Sequence, residues 1–94
     1  MDEIGFRIWL SKANYNKKVQ GDSISRLKRI ERELEIDLDE QYKKDNMEDI
    51  MKAFLNMGNN EQMSKYGNVD FPVGKYYMST YRYSLKQYIK YKNE

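Results

Sequence analysis

Apolar residues recur along most of this chain at helical spacing. Phe6, Trp9, Leu10 and Ala13 fall at i, i+3, i+4 and i+7, and Asp2 and Glu3 precede them where a helix dipole favours negative charge. This predicts a first helix that Asn14-Tyr15-Asn16 breaks, followed by a basic loop through Lys17 and Lys18 to Gly21. A second helix is expected from Asp22 or Ser23, either of which can cap it, with Ile24, Leu27, Ile30 and Leu34 on one stripe. Glu31 interrupts that stripe. The period is lost at Ile36-Asp37-Leu38-Asp39, so a connector is expected through Lys44. Asp45 with Glu48 three residues on resembles a capping box, and Met47, Ile50, Met51, Phe54 and Leu55 follow at i, i+3, i+4, i+7 and i+8. Met57-Gly58-Asn59-Asn60 ends this third helix. Val69, Phe71 and Val73 alternate around Pro72, a short extended piece unsuited to a central strand. The last helix begins at about Met78, with Tyr81, Leu85, Tyr88 and Ile89 on one face. The expected fold is all-α: a compact four-helix bundle, one domain over residues 1–94, with a long Gly/Asn-rich loop before the last helix.

Composition removes several chemistries. The 94 residues include no cysteine and no histidine, which excludes disulfides, thiol nucleophiles, histidine general bases and the usual zinc ligand sets. Charges interrupt every longer apolar run, so no membrane span or secretion signal is expected, and the reading is a soluble, cytoplasmic protein. No cofactor is implied.

The net charge of +2 conceals an uneven distribution. Residues 1–30 carry seven basic and three acidic side chains, residues 31–70 five and eleven, and residues 71–94 five and one. Two basic ends around an acidic middle predict a dipolar surface. On the last helix Tyr83, Lys86 and Lys90 point away from the apolar face, with Arg82 on its shoulder; Arg29 and Arg32 project outward from the second helix, near Lys17, Lys18 and Arg26. Basic side chains interleaved with tyrosine suit a phosphate backbone and its bases. Arg29, Arg32, Arg82, Lys86 and Lys90 are therefore the expected phosphate contacts, and Tyr83 a sugar or base contact. The plainer alternative is an ordinary solvated exterior in which Arg29 pairs with Glu33.

Other constellations are weaker. Asp37, Asp39, Asp45 and Glu48 match positions 1, 3, 9 and 12 of a calcium-binding loop, but Tyr42 stands where glycine is needed and Lys43 and Lys44 add positive charge. A helix cap is the better reading. No set of acids and lysine stands out as a nuclease site, so no catalytic residue is assigned. Phe6, Trp9, Met47, Met51 and Phe54 have the spacing of core residues.

Several segments together resemble a known pattern: Phe6-Arg7-Ile8-Trp9-Leu10, then Ser23 to Glu31, Asp37 to Glu40, Tyr42 to Asp45, Phe71 to Tyr77, and Tyr81 to Asn93. Their order looks like the small helical domain that precedes the catalytic part of many bacterial restriction endonucleases, HNH-type and GTP-driven ones among them. There the closing helix usually reads Tyr-Arg-Ser-Ala-hydrophobic, then Tyr and an aromatic. More distantly, the chain is similar to the SAM-like core-binding domain of tyrosine recombinases. The resemblance spans nearly the whole chain and implies a DNA-binding accessory module of restriction or recombination type, either excised from beside a catalytic domain or acting alone. Since no nuclease, GTPase or recombinase segment follows Glu94, no catalysis is carried over. A second reading is a small protein-binding inhibitor of phage type, a factor acting against host defence, that uses the acidic segment from Glu31 to Asp49, Asp37, Asp39 and Glu40 above all. A third is a dimerisation domain presenting Tyr77, Tyr83 and Tyr91.

Overall fold

Among the described residues, helix ends are set by side-chain caps and left-handed non-glycine residues. A computed structural model describes residues 1–55, Met63, Lys65 and 75–94. Among them are five helices and no strand: α1 (Glu3–Lys12), α2 (Lys17–Leu34), α3 (Leu38–Asp45), α4 (Glu48–Ala53) and α5 (Lys75–Lys92). The all-α bundle is as expected, but the count and several boundaries differ.

The Asp2 carboxylate accepts from the Gly5 amide to start α1. Asn14, at φ 69°, ends it in a Schellman motif, with Asn14 N–H donating to Ser11 O and Tyr15 N–H to Leu10 O. Ala13 therefore lies beyond the helix and is exposed. Asn16 is a cap and not part of a break: its side chain accepts the Val19 amide at 2.9 Å, and α2 begins at Lys17. The loop expected up to Gly21 is thus helix. At its far end Glu35 takes the left-handed conformation (φ 54°).

The expected connector through Lys44 is α3. Its signals are polar: Asp37 caps the Asp39 amide, Asp39 and Glu40 occupy the first turn, and Lys43 and Lys44 the last. Leu38 alone is buried, so no apolar period announces the helix. Asn46 and Met47 are both left-handed and turn the chain into α4. Asp45 accepts the Asp49 amide rather than forming a box with Glu48. The helix closes at Ala53 with Phe54 as its cap, which leaves Leu55 exposed. The expected stop at Met57 to Asn60 and the alternation from Val69 to Val73 lie outside the described residues. Helix α5 starts at Lys75, three residues ahead of Met78.

The core joins Phe6 and Leu10 of α1, Ile24, Leu27, Ile30 and Leu34 of α2, Leu38, Met47, Ile50, Ala53 and Phe54, and Met78, Tyr81, Leu85 and Tyr88 of α5. Each large apolar side chain buried here contributes about 1.5–3 kcal/mol relative to exposure. Helix α5 lies against both α1 and α2. Against α1 the contact is aromatic: Phe6 meets Tyr88 edge-on with ring centres 5.0 Å apart, and Tyr91 at 5.6 Å.

Glu31, the interruption in the α2 stripe, has an internal task. Its carboxylate accepts both the Met1 ammonium at 2.8 Å and the Leu38 amide at 3.0 Å. Asp37 also accepts the ammonium, at 3.1 Å, and Asp39 lies 3.9 Å away. Burial opposes charge on the ammonium, but its bonds to Glu31 and Asp37 and the field of Glu31 and Asp39 outweigh that and raise its pKa above 8.0. The Asp37 carboxyl is held below its usual value, chiefly by the same ammonium.

Two glycines make opposite demands. A Cβ on Gly5 would collide with the Asp2 carboxylate and the Tyr91 hydroxyl, which bond each other across the first turn of α1. A Cβ on Gly21 would meet nothing. Gly21→Ala should therefore raise stability by ~0.5–1 kcal/mol, the helix-propensity difference, while Gly5→Ala lowers it; urea denaturation of the two variants checks both signs. Stability should also depend on pH at both ends. The ammonium contribution is complete below its unfolded pKa of 8.0 and is lost as pH rises through the raised folded value. The Asp37 contribution is present above 3.8 and is lost as pH falls through the depressed one. A urea midpoint that does not fall between about pH 7 and about pH 10 would remove the ammonium from this account.

Candidate nucleic-acid interface

Helices α2 and α5 pack through a polar contact inside an otherwise apolar seam. Ser23 donates its hydroxyl to the Gln87 side-chain carbonyl at 2.5 Å, and both residues are buried. Gln20, also buried, donates to the Tyr15 carbonyl at 2.7 Å and so ties the start of α2 to the preceding turn. This seam fixes which basic side chains of the two helices become neighbours.

On α5 the wheel is as expected: Tyr83, Lys86 and Lys90 are exposed along one stripe. Among the described residues neither lysine forms an ion pair. At 1.5 Å per residue they stand ~4.5 Å and ~10 Å beyond Tyr83 along the helix. Tyr83 itself is 47% exposed. Partial burial, then the adjoining Tyr15, raises the pKa of its hydroxyl, while nearby Arg26 opposes the rise. Tyr15, in the turn before α2, and Arg26 of α2 thus stand near the Tyr83 hydroxyl. Arg26 stands in the sequence as one of several basic residues of α2, and Tyr15 as part of a helix break; only tertiary packing joins them to Tyr83. Tyr15 packs on Trp9 at 6.3 Å, and Trp9 on Phe6 and Tyr91, so the surface tyrosine continues an aromatic series that reaches the core.

The other predicted contacts are dispersed. Arg29 is half-buried on α2. Arg32 is exposed, beside Glu33 at 3.4 Å, the carboxylate expected to pair with Arg29. It lies ~9 Å along α2 from Arg26. Arg82 is engaged internally: a guanidinium N–H donates to the Phe54 carbonyl at 2.5 Å and closes the C-terminal end of α4. A helix-end carbonyl lacks an intrahelical partner, and a charged donor is a strong one for it.

The acidic segment is largely engaged internally. Asp37 holds the ammonium; Asp39 accepts the Tyr88 hydroxyl at 2.5 Å and lies 3.4 Å from Lys92; Asp49 pairs with Lys44 at 3.3 Å. Residues 38–45 being helical, the carboxylates of Asp37, Asp39, Asp45 and Glu48 do not line one calcium loop. Glu31, Asp37 and Asp39 converge on the Met1 ammonium, and among the described residues no group of three or more acidic side chains is placed to hold a metal ion. Of the three tyrosines expected at a dimer surface, Tyr91 is packed against Phe6, Trp9 and Tyr88 and donates to Asp2, a bond that pushes its pKa up to about 12. The side chain of Tyr77 is outside the described residues.

If Arg82 closes α4, Arg82→Ala should cost ~1–3 kcal/mol, as for a hydrogen bond from a charged group, whereas Lys86→Ala should stay within ~0.5 kcal/mol of the parent. Urea denaturation separates the two, and equal stability of both variants would refute the closing role.

No family model, no curated protein and no solved structure matches this chain.

Proposed function

We propose that this protein is a non-catalytic DNA-binding module of the restriction or recombination type, which contacts the phosphate backbone through the outer stripe of α5 and the adjoining part of α2. The observation that carries the reading is the exposed series Tyr83, Lys86 and Lys90, with Arg26 beside it and no ion pair on either lysine among the described residues. Lysines held on a rigid helix and spared internal pairing remain available to displace counterions from phosphates, which is the main source of such affinity. Arg29, half-buried, and Arg32, beside Glu33, add less to that positive surface along α2. Arg82 contributes chiefly to structure. The helical order and its resemblance to restriction-associated domains support the same reading, with a parent catalytic domain or other protein as a further partner.

The competing inhibitor reading depends on Asp37, Asp39 and Glu40 as a surface that competes for a basic groove. Asp37 and Asp39 bind the ammonium, Tyr88 and Lys92, so they offer less free charge than their number suggests. Reversing them would disturb the fold as well as any surface.

Binding to a short duplex should weaken linearly with the logarithm of salt concentration. Lys86→Ala and Lys90→Ala should each reduce that slope by about 0.9, with similar loss on every duplex sequence. Fluorescence anisotropy across a salt series measures this. Unchanged slopes in both variants would remove the α5 stripe from the interface, and absence of binding at low salt would remove DNA as the ligand.

A further inference from the structure

Tyr83 differs from an ordinary surface tyrosine in what stands behind it. The residue is 47% exposed, yet its hydroxyl adjoins Tyr15, which packs on Trp9, which in turn packs on Phe6 at 6.1 Å and Tyr91 at 6.0 Å. A side chain so backed loses little freedom when a flat ligand settles on it. Lys86 and Lys90 continue from it along a single helix edge, and Arg26 flanks it from α2. One aromatic face followed by a row of cations is the arrangement used for a single nucleic-acid strand, in which a base stacks while its phosphates follow the positive charges. A matched duplex keeps its bases stacked inside and presents this edge with phosphate and sugar alone.

Resting on the phosphate-binding reading above, we infer that Tyr83, backed by Tyr15 and flanked by Arg26, is a stacking platform for an unpaired nucleobase, with Lys86 and Lys90 holding the phosphates of the same strand. The protein therefore prefers single-stranded DNA, or duplex with an unpaired base, over matched duplex.

The test compares four labelled probes by fluorescence anisotropy at one salt concentration: a mixed-sequence single strand, its matched duplex, the duplex carrying one unpaired base, and a single strand of abasic residues. The single strand and the interrupted duplex should bind about tenfold more tightly than the matched duplex, the scale expected for stacking one base. The abasic strand should lose that advantage. Tyr83→Ala should weaken single-strand binding about tenfold and matched-duplex binding about twofold, while Tyr83→Phe keeps most of the preference. Tyr83→Leu, which retains apolar bulk against Tyr15, should behave like Tyr83→Ala and guards against a folding defect in the latter. If the interrupted duplex alone gains, the base is taken up only beside paired DNA, and the single-strand preference is overturned. Equal affinity for the normal and abasic strands overturns the platform, while salt-dependent duplex binding would still uphold the phosphate-binding reading. No binding of any probe at low salt overturns both.

Discussion

Tyr88 is the side chain through which this small fold is joined. It is fully buried on α5, its ring lies edge-on to Phe6 of α1, and its hydroxyl accepts the Asp2 amide at 2.8 Å while donating to Asp39 of α3. Burial, then the bond to Asp39, pushes its pKa far above that of a free tyrosine, so it stays a neutral donor throughout the ordinary pH range. A leucine there would fill much of the space but leave Asp2 N–H and the Asp39 carboxylate without their shared partner. Around this hydroxyl the other polar contacts gather: the ammonium with Glu31 and Asp37, Tyr91 with Asp2, and Lys92 with Asp39. In a chain of 94 residues the apolar core is small, and such contacts orient helices that apolar packing alone would leave free to slide.

The same arrangement sorts the charges. Glu31, Asp37 and Asp39 from the middle of the sequence turn toward the chain's own amine, and Asp39 also toward Lys92, while Glu35, Glu40 and Glu48 stay exposed. Among the described residues Lys86 and Lys90, on the outer edge of α5, acquire no such partner. Charge asymmetry that looks like a simple alternation of basic, acidic and basic thirds thus becomes, after folding, an acidic part of which Glu31, Asp37 and Asp39 are engaged from within, and a basic edge on α5 exposed to solvent. This contrast gives the DNA-binding reading its physical basis.

How much of this could be read in advance depended on whether the signal was local. The buried faces of α1, α2, α4 and α5 follow from apolar spacing, and Phe6, Leu27, Ile50 and Leu85 all lie where it puts them. Helix α3 escaped because Leu38 is its only buried residue, and its markers are a cap and a charge gradient. Asn16 is ambiguous in kind: an asparagine interrupts one helix as readily as it starts the next, and Gly21 five residues on has the character of a loop residue. The outward set of Tyr83, Lys86 and Lys90 was legible because a helical wheel fixes direction. Arg82, Tyr15 and Arg26 were not, since their partners Phe54 and Tyr83 lie in other elements. The misfit of Glu31 in an apolar stripe was visible, but its cause, an ammonium from the opposite end of α1, was not.

Tyr88 and Tyr91 also tie together residues that are far apart along the chain. Asp2 N–H reaches Tyr88 across 86 positions, and the Tyr91 hydroxyl reaches Asp2 across 89. Each doubling of such a loop adds ~0.6 kcal/mol of closure entropy, and the seam between α1 and α5 earns its contacts only after that cost is met. The packing of α1 on α2 and of α3 on α4 is local in sequence and carries no such closure. Closing that seam brings the two ends of the chain together, and the contacts of Phe6 with Tyr88 and of Trp9 with Tyr91, from which the tyrosine series runs on to Tyr83, form only with it.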